Sequence, residues 1–184
     1  MPQTLLGFDV SSTTIGYCVL EIDGTNIRFK KASYLKPSKT GTIIERIVDT
    51  RDKIESIIKK VKPDYIAIED IVQFMQGKST AKTIIMLTSF NRMIGLCAYD
   101  YLKRSPELFS VMTIRHGLKT GKDLPKKEDM PELVAKHLGI TFPYEINKNG
   151  NIKVESYDIA DGIAVALYYA FVLTGKTKRK VKKK

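Results

Sequence analysis

At 184 residues, 43% of them hydrophobic, the chain is long enough for one domain with a substantial core, and its mean hydropathy of −0.16 is that of a soluble globular protein. No apolar run reads as a membrane span, no signal-peptide pattern opens the chain, and two cysteines with two histidines exclude a disulfide scaffold and make no zinc site. A formal charge of +11 favours a polyanionic partner, nucleic acid first, although seven of the positive charges fall in 176–184 and such a run also serves as a solubilising tail.

The chain opens on Leu5-Leu6-Gly7-Phe8-Asp9-Val10, then Ser11-Ser12-Thr13-Thr14, then Ile15-Gly16-Tyr17-Cys18-Val19-Leu20. Two apolar runs around a Ser/Thr cluster predict a β-hairpin. Asp9 ends a strand that is otherwise apolar. A carboxylate there needs a partner, a metal, or the amides of Ser11 and Ser12 in an Asx-turn. After Asp23-Gly24, residues 26–34 predict a third strand, completing an antiparallel meander.

Residues 42–60 carry isoleucines and valines at spacings of three and four, the pattern of an amphipathic helix, with Lys59, Lys60 and Lys62 at its C-terminal end and Pro63 beyond. Tyr65-Ile66-Ala67-Ile68 reads as a buried parallel strand running into Glu69 and Asp70, where open α/β sheets place their chemistry. The alternative for Glu69 is the start of a solvent loop. Residues 73–80 form a polar loop containing Phe74 and Lys78. A helix over 83–102 is apolar on more than one stripe, which requires deep burial or a partner subunit. Next, 109–114 is predicted as a strand and 116–127 as a basic loop with Lys119, Lys122, Lys126 and Lys127. A short helix over 128–138 holds Pro131 in its first turn, and 142–152 is a turn-rich connection hinged at Asn149-Gly150.

The last element is a helix running to about residue 173, with Ser156 read as its N-cap. Asp158 and Asp161 are three apart and share a face. Acids near a helix start are ordinary compensation of its dipole. Asp161, however, leads straight into Gly-Ile-Ala-Val-Ala-Leu, a helix apolar nearly all round and therefore buried. Four acids thus stand out: Asp9, Glu69, Asp158 and Asp161. Clustered carboxylates repel one another unless divalent cations neutralise them, and an oxygen-only donor set points to magnesium, with manganese as a substitute. Two ions so held can activate a water and stabilise the leaving oxygen of a phosphodiester.

Gly7-Phe8-Asp9 in its hairpin, Ile66-Ala67-Ile68-Glu69, and Tyr157-Asp158-Ile159-Ala160-Asp161-Gly162 together resemble the RuvC family of Holliday junction resolvases, in order and spacing over residues 5–173. A compact chain of this kind is most similar to phage-encoded members. The resemblance implies an α/β, RNase H-like fold: a five-stranded mixed sheet, its first three strands antiparallel, flanked by helices. It implies one nuclease domain over 1–175 and a disordered basic tail over 176–184. It also implies a cytoplasmic homodimer that cuts branched DNA with two magnesium ions per site and no small-molecule cofactor.

The family's four metal-binding acids fall on Asp9, Glu69, Asp158 and Asp161, one ion assigned to Asp9 with Asp158 or Asp161, the other to Asp9 and Glu69. Its phosphate-contacting lysines fall in the basic loop, with Lys119 and one of Lys126 or Lys127 favoured and Lys122 a further DNA contact. Its DNA-contacting loop after the fourth strand supplies Phe74 and Lys78. Asp9-Val10-Ser11 replaces the Asp-Pro-Gly usual in bacterial members, a departure that bears on sequence preference and junction specificity.

Two other readings compete. Residues 7–14 also resemble the first phosphate loop of actin-like ATPases and sugar kinases, in which Ser and Thr cradle ATP phosphates. Those proteins pair two such domains and carry a second Gly-rich phosphate motif, and neither fits this chain. A non-catalytic basic DNA-binding module gives no reason for four convergent acids, which repel phosphate without metal.

Overall fold

The computed structural model describes residues 1–71 and 80–177. Its strands are β1 (Gln3–Val10), β2 (Ile15–Asp23), β3 (Asn26–Leu35), β4 (Tyr65–Glu69) and β5 (Glu107–Phe109), in the order β3-β2-β1-β4-β5. The first three pair antiparallel through tight turns. β4 and β5 add in parallel, each reached by a helical crossover: α1 (Ile43–Val61) before β4 and α2 (Ala81–Leu102) before β5. The start of α1 is set by Thr42, whose hydroxyl accepts from the Glu45 N–H while the Glu45 carboxylate accepts from the Thr42 N–H.

Alternation along the strands sorts the core into two layers. Leu6, Phe8, Ile66 and Ile68 pack under α1 and α2. Leu5, Cys18, Leu20 and Ala67 pack under α3 (Val111–Leu118), α4 (Met130–Leu138) and α5 (Glu155–Leu173). By the same parity Asp9 and Glu69 fall on the α5 side. α5 is the spine of its layer, buried at every residue from Ile163 to Ala170. Against the sequence expectation, this helix is long and apolar enough by length and composition to cross a membrane, yet its apolar surface is spent on the sheet. Gly7 permits that approach, because a Cβ there would lie 2.6 Å from the Ala166 nitrogen.

Three local expectations are corrected. The strand predicted over 109–114 ends at Phe109, because the Ser110 hydroxyl accepts from the Thr113 N–H and starts α3 instead. The basic loop therefore begins after Leu118 rather than at His116. Ser156 is not the N-cap of α5. It lies in the first turn, buried, with its hydroxyl accepting from the Glu145 N–H at 2.9 Å, and Val154 occupies the cap position without a side-chain bond.

Candidate nuclease site

Asp9 stands at the end of β1, opposite Gly16 of β2, and Glu69 ends β4 in the neighbouring position. α5 is brought over these strand ends by two glycines. A Cβ on Gly162 would lie 2.7 Å from the Gly16 carbonyl carbon, and one on Gly16 would overlap the Asp158 carbonyl oxygen. The backbones of β2 and α5 therefore touch. That contact delivers the carboxylates of Asp158 and Asp161 to Asp9, and oxygens from all three lie within 4.8 Å of one another. Three hard oxygen donors at this spacing, with no nitrogen or sulfur ligand among them, suit a divalent cation such as magnesium or manganese.

Electrostatics mark the same place. Burial, reinforced by the charges of Glu69, Asp161 and Asp158, holds the Asp9 carboxyl well above the usual range. Burial and then the Asp161 charge push Glu69 up to about 7. Burial pushes Asp161 up to about 6, although Lys127 and Arg115 pull it down. Perturbed acids converging in one site are what metal binding and catalysis draw on.

Of the loop lysines, Lys127 reaches the acids: its Nζ donates to Asp158 Oδ1 at 3.0 Å and lies 3.5 Å from Asp161 Oδ2. Lys119 turns back into its own loop and donates to the Lys122 carbonyl oxygen at 2.9 Å. Lys126 and Lys122 are exposed, and the Lys126 N–H donates to the Asp129 carboxylate. Phe74 and Lys78 lie outside the described residues.

Arg115 was not anticipated. Its charge lowers both Glu69 and Asp161, and its buried Nε has no hydrogen-bond partner among the described residues. Reading 109–114 as a strand hid it. A helix starting at Ser110 would have placed Arg115 in its second turn, one residue beyond the buried Ile114.

Two further contacts position the acids. Asn91 of α2, 2% exposed, donates from Nδ2 to the Glu69 carbonyl oxygen at 2.7 Å, satisfying the last acceptor of β4. In the turn after Asp9, the Ser11 hydroxyl accepts from the Thr13 and Thr14 N–H groups. That turn is thus closed by Ser11 in place of an Asx-turn at Asp9.

A mixed sheet of this order, with carboxylates gathered at the ends of its central strands and on its last helix, defines an RNase H-like fold. The family model for crossover junction endodeoxyribonuclease RuvC matches residues 5–169, and the chain belongs to that family. The chain is 25% identical to the crossover junction endodeoxyribonuclease RuvC of Fusobacterium nucleatum over 94% of its own length and 82% of that protein. It is 28% identical to the protein of the same description from Sulfurovum sp. over 90% and 93%. Among solved structures it is similar to T. thermophilus RuvC in complex with Holliday junction substrate (TM-score 0.69, 18% identity, 92% and 94% covered). It is similar also to the yeast mitochondrial Holliday junction resolvase Ydc2 (TM-score 0.64, 15% identity, 90% and 77% covered).

Proposed function

We propose that this chain is a cytoplasmic, magnesium-dependent endonuclease that cuts branched DNA, four-way junctions among its substrates. The observation that carries the proposal is the convergence of Asp9, Asp158 and Asp161 within 4.8 Å, beside Glu69, in a RuvC-family chain. These four acids would hold two magnesium ions, with manganese as a substitute; bound there, the ions supply the Lewis acidity that lowers the pKa of an attacking water and stabilises the departing oxygen. Lys127 offsets negative charge that builds on the phosphate, and Arg115 does so from the Glu69 side. Lys119, Lys122 and Lys126 contact phosphates flanking the cut, and Phe74 and Lys78, which follow β4 in the sequence, are further candidate DNA contacts. Residues 1–175 form the nuclease, and the basic run 176–184 adds phosphate contacts without selecting a structure.

Symmetric cutting needs two sites related by a two-fold axis, and α2 offers the surface for a homodimer. Ile85, Leu96 and Tyr99 are 61%, 65% and 49% exposed, and Leu96 and Tyr99 border a groove of about 350 Å³ shared with Leu108 of β5. Sedimentation should show a dimer that Leu96→Glu splits.

The deciding experiment is cleavage of a labelled panel: four-way junction, three-way junction, fork, flap and linear duplex, in magnesium. Branched members should be cut, and Asp9→Asn, Glu69→Gln, Asp158→Asn and Asp161→Asn should each lose roughly a thousandfold or more of the rate while still binding DNA. Near wild-type turnover in any of the four would remove that residue from the site. No cutting of any branched DNA by the unmodified enzyme would end the proposal.

A further inference from the structure

Between α4 and α5 the chain makes a closed hairpin. Ile146 and Ile152 bridge, the Lys153 N–H donates to the Glu145 carbonyl, and Asn147 Oδ1 accepts from the N–H groups of Asn149 and Asn151. Its base is tied to the body. The Glu145 N–H donates to Ser156, the Tyr34 hydroxyl to the Glu145 carboxylate, and Lys36 pairs with Glu155. A hairpin held this firmly needs nothing more from its outward side chains. Yet Ile146, Ile152 and Val154 are 51%, 41% and 69% exposed, on an otherwise polar excursion that carries Lys148 near its tip.

The position decides what would cover them. Val154, at the cap position, precedes Asp158 by four residues, just over one turn or about 6 Å of helix axis. Phosphates follow one another about every 3.4 Å along each strand of duplex DNA. The hairpin's base is tied to α5 through Ser156, two residues before Asp158, so nucleotides adjoining a phosphate at the acids come within reach of it. Aliphatic side chains offer nothing to phosphate oxygens. They fit sugars, and above all unstacked base faces, which a branch point can expose and a continuous duplex buries in its stack.

We propose that Ile146, Ile152 and Val154 form an apolar surface that packs against the exposed sugar and base faces of nucleotides flanking the scissile phosphate, and so favours branched over linear DNA. This rests on the nuclease reading above. The test uses Ile146→Ser/Ile152→Ser in an Asp9→Asn background, which keeps the DNA intact, with the melting curve checked against the parent. Affinity for a four-way junction and for a linear duplex of the same sequence is measured across a salt series in magnesium.

The double change should weaken junction binding about tenfold and duplex binding less than twofold, with the slope of log affinity against log salt unchanged. Lys148→Ala should instead weaken both substrates and make the slope shallower by about 0.9. Equal weakening of junction and duplex by the double change, or no change in either, overturns the proposal. Failure of the nuclease reading would show separately, as an unmodified enzyme that cuts nothing.

Discussion

The Lys127 ammonium lies 3.0 Å from Asp158 Oδ1 and 3.5 Å from Asp161 Oδ2, so a loop residue offsets two carboxylates that α5 carries on one face. Those attractions raise the Lys127 pKa despite the opposing effect of its burial, and keep it charged at any working pH. Lys127→Met should therefore lower the cleavage rate by about 10²–10³, the range for loss of one charge-stabilising group. Lys119→Met, whose parent side chain is engaged with the Lys122 carbonyl, should change the rate only a few-fold. Single-turnover cleavage of a four-way junction compares the two. Equal losses would return Lys119 to the centre of the site.

The acids give the metal-free protein a pH signature. Glu69 is pushed from its ordinary 4.5 to about 7 and Asp161 from 3.8 to about 6, both by burial first. The folded protein then binds protons more tightly than the unfolded chain. Stability from these groups is fully present below their ordinary values and lost as pH rises through about 6 and about 7. In EDTA the melting temperature should fall between pH 5 and pH 8. Magnesium, which needs the ionised carboxylates, should raise it more at pH 8 than at pH 5.5. A melting temperature that climbs across this window in EDTA would contradict the burial of the cluster.

The contact of β2 with α5 is intolerant of a methyl group. Gly16→Ala would drive a Cβ into the Asp158 carbonyl oxygen, with backbone on both sides and no flexible side chain to yield. We expect a destabilisation of about 1–3 kcal/mol, the cost of overpacking. Cleavage measured well below the melting transition should fall further than that loss explains, because relief of the overlap moves Asp158 away from Asp9. Unchanged activity in a destabilised variant would show that the acids tolerate the shift.

Asn91 links α2 to the fourth acid. Asn91→Leu keeps the volume and removes the donor to the Glu69 carbonyl. The rate at saturating DNA should drop about tenfold or more, since small misplacements at a reacting centre are costly. KM for the junction should stay near the parent value, and Asn91→Gln should restore part of the rate. An equal rise in KM with no change in kcat would mean that Asn91 serves DNA binding instead.

Much of this was written in local pattern. Asp9 and Glu69 could be read as acids ending two apolar strands, and Asp158 and Asp161 as sharing one helix face from their spacing, because the helical period is a property of the backbone itself. The over-apolar stretches of α2 and α5 were equally visible. Ser156 was misread because a hydroxyl serves a helix cap and a tertiary hydrogen bond alike, and only Glu145, eleven residues away, distinguishes the two; 109–114 was misread because its short apolar run suits a strand, while the Ser110 cap starts a helix there. The choice of Lys127 over Lys119, the approach of Arg115 to Glu69 and Asp161, and the Asn91 bond to Glu69 join residues 22 to 46 positions apart. Such distances are set by how α2, α3 and α5 pack on the sheet. Tertiary structure alone decided them, because packing brings together groups whose local sequence carries no record of one another.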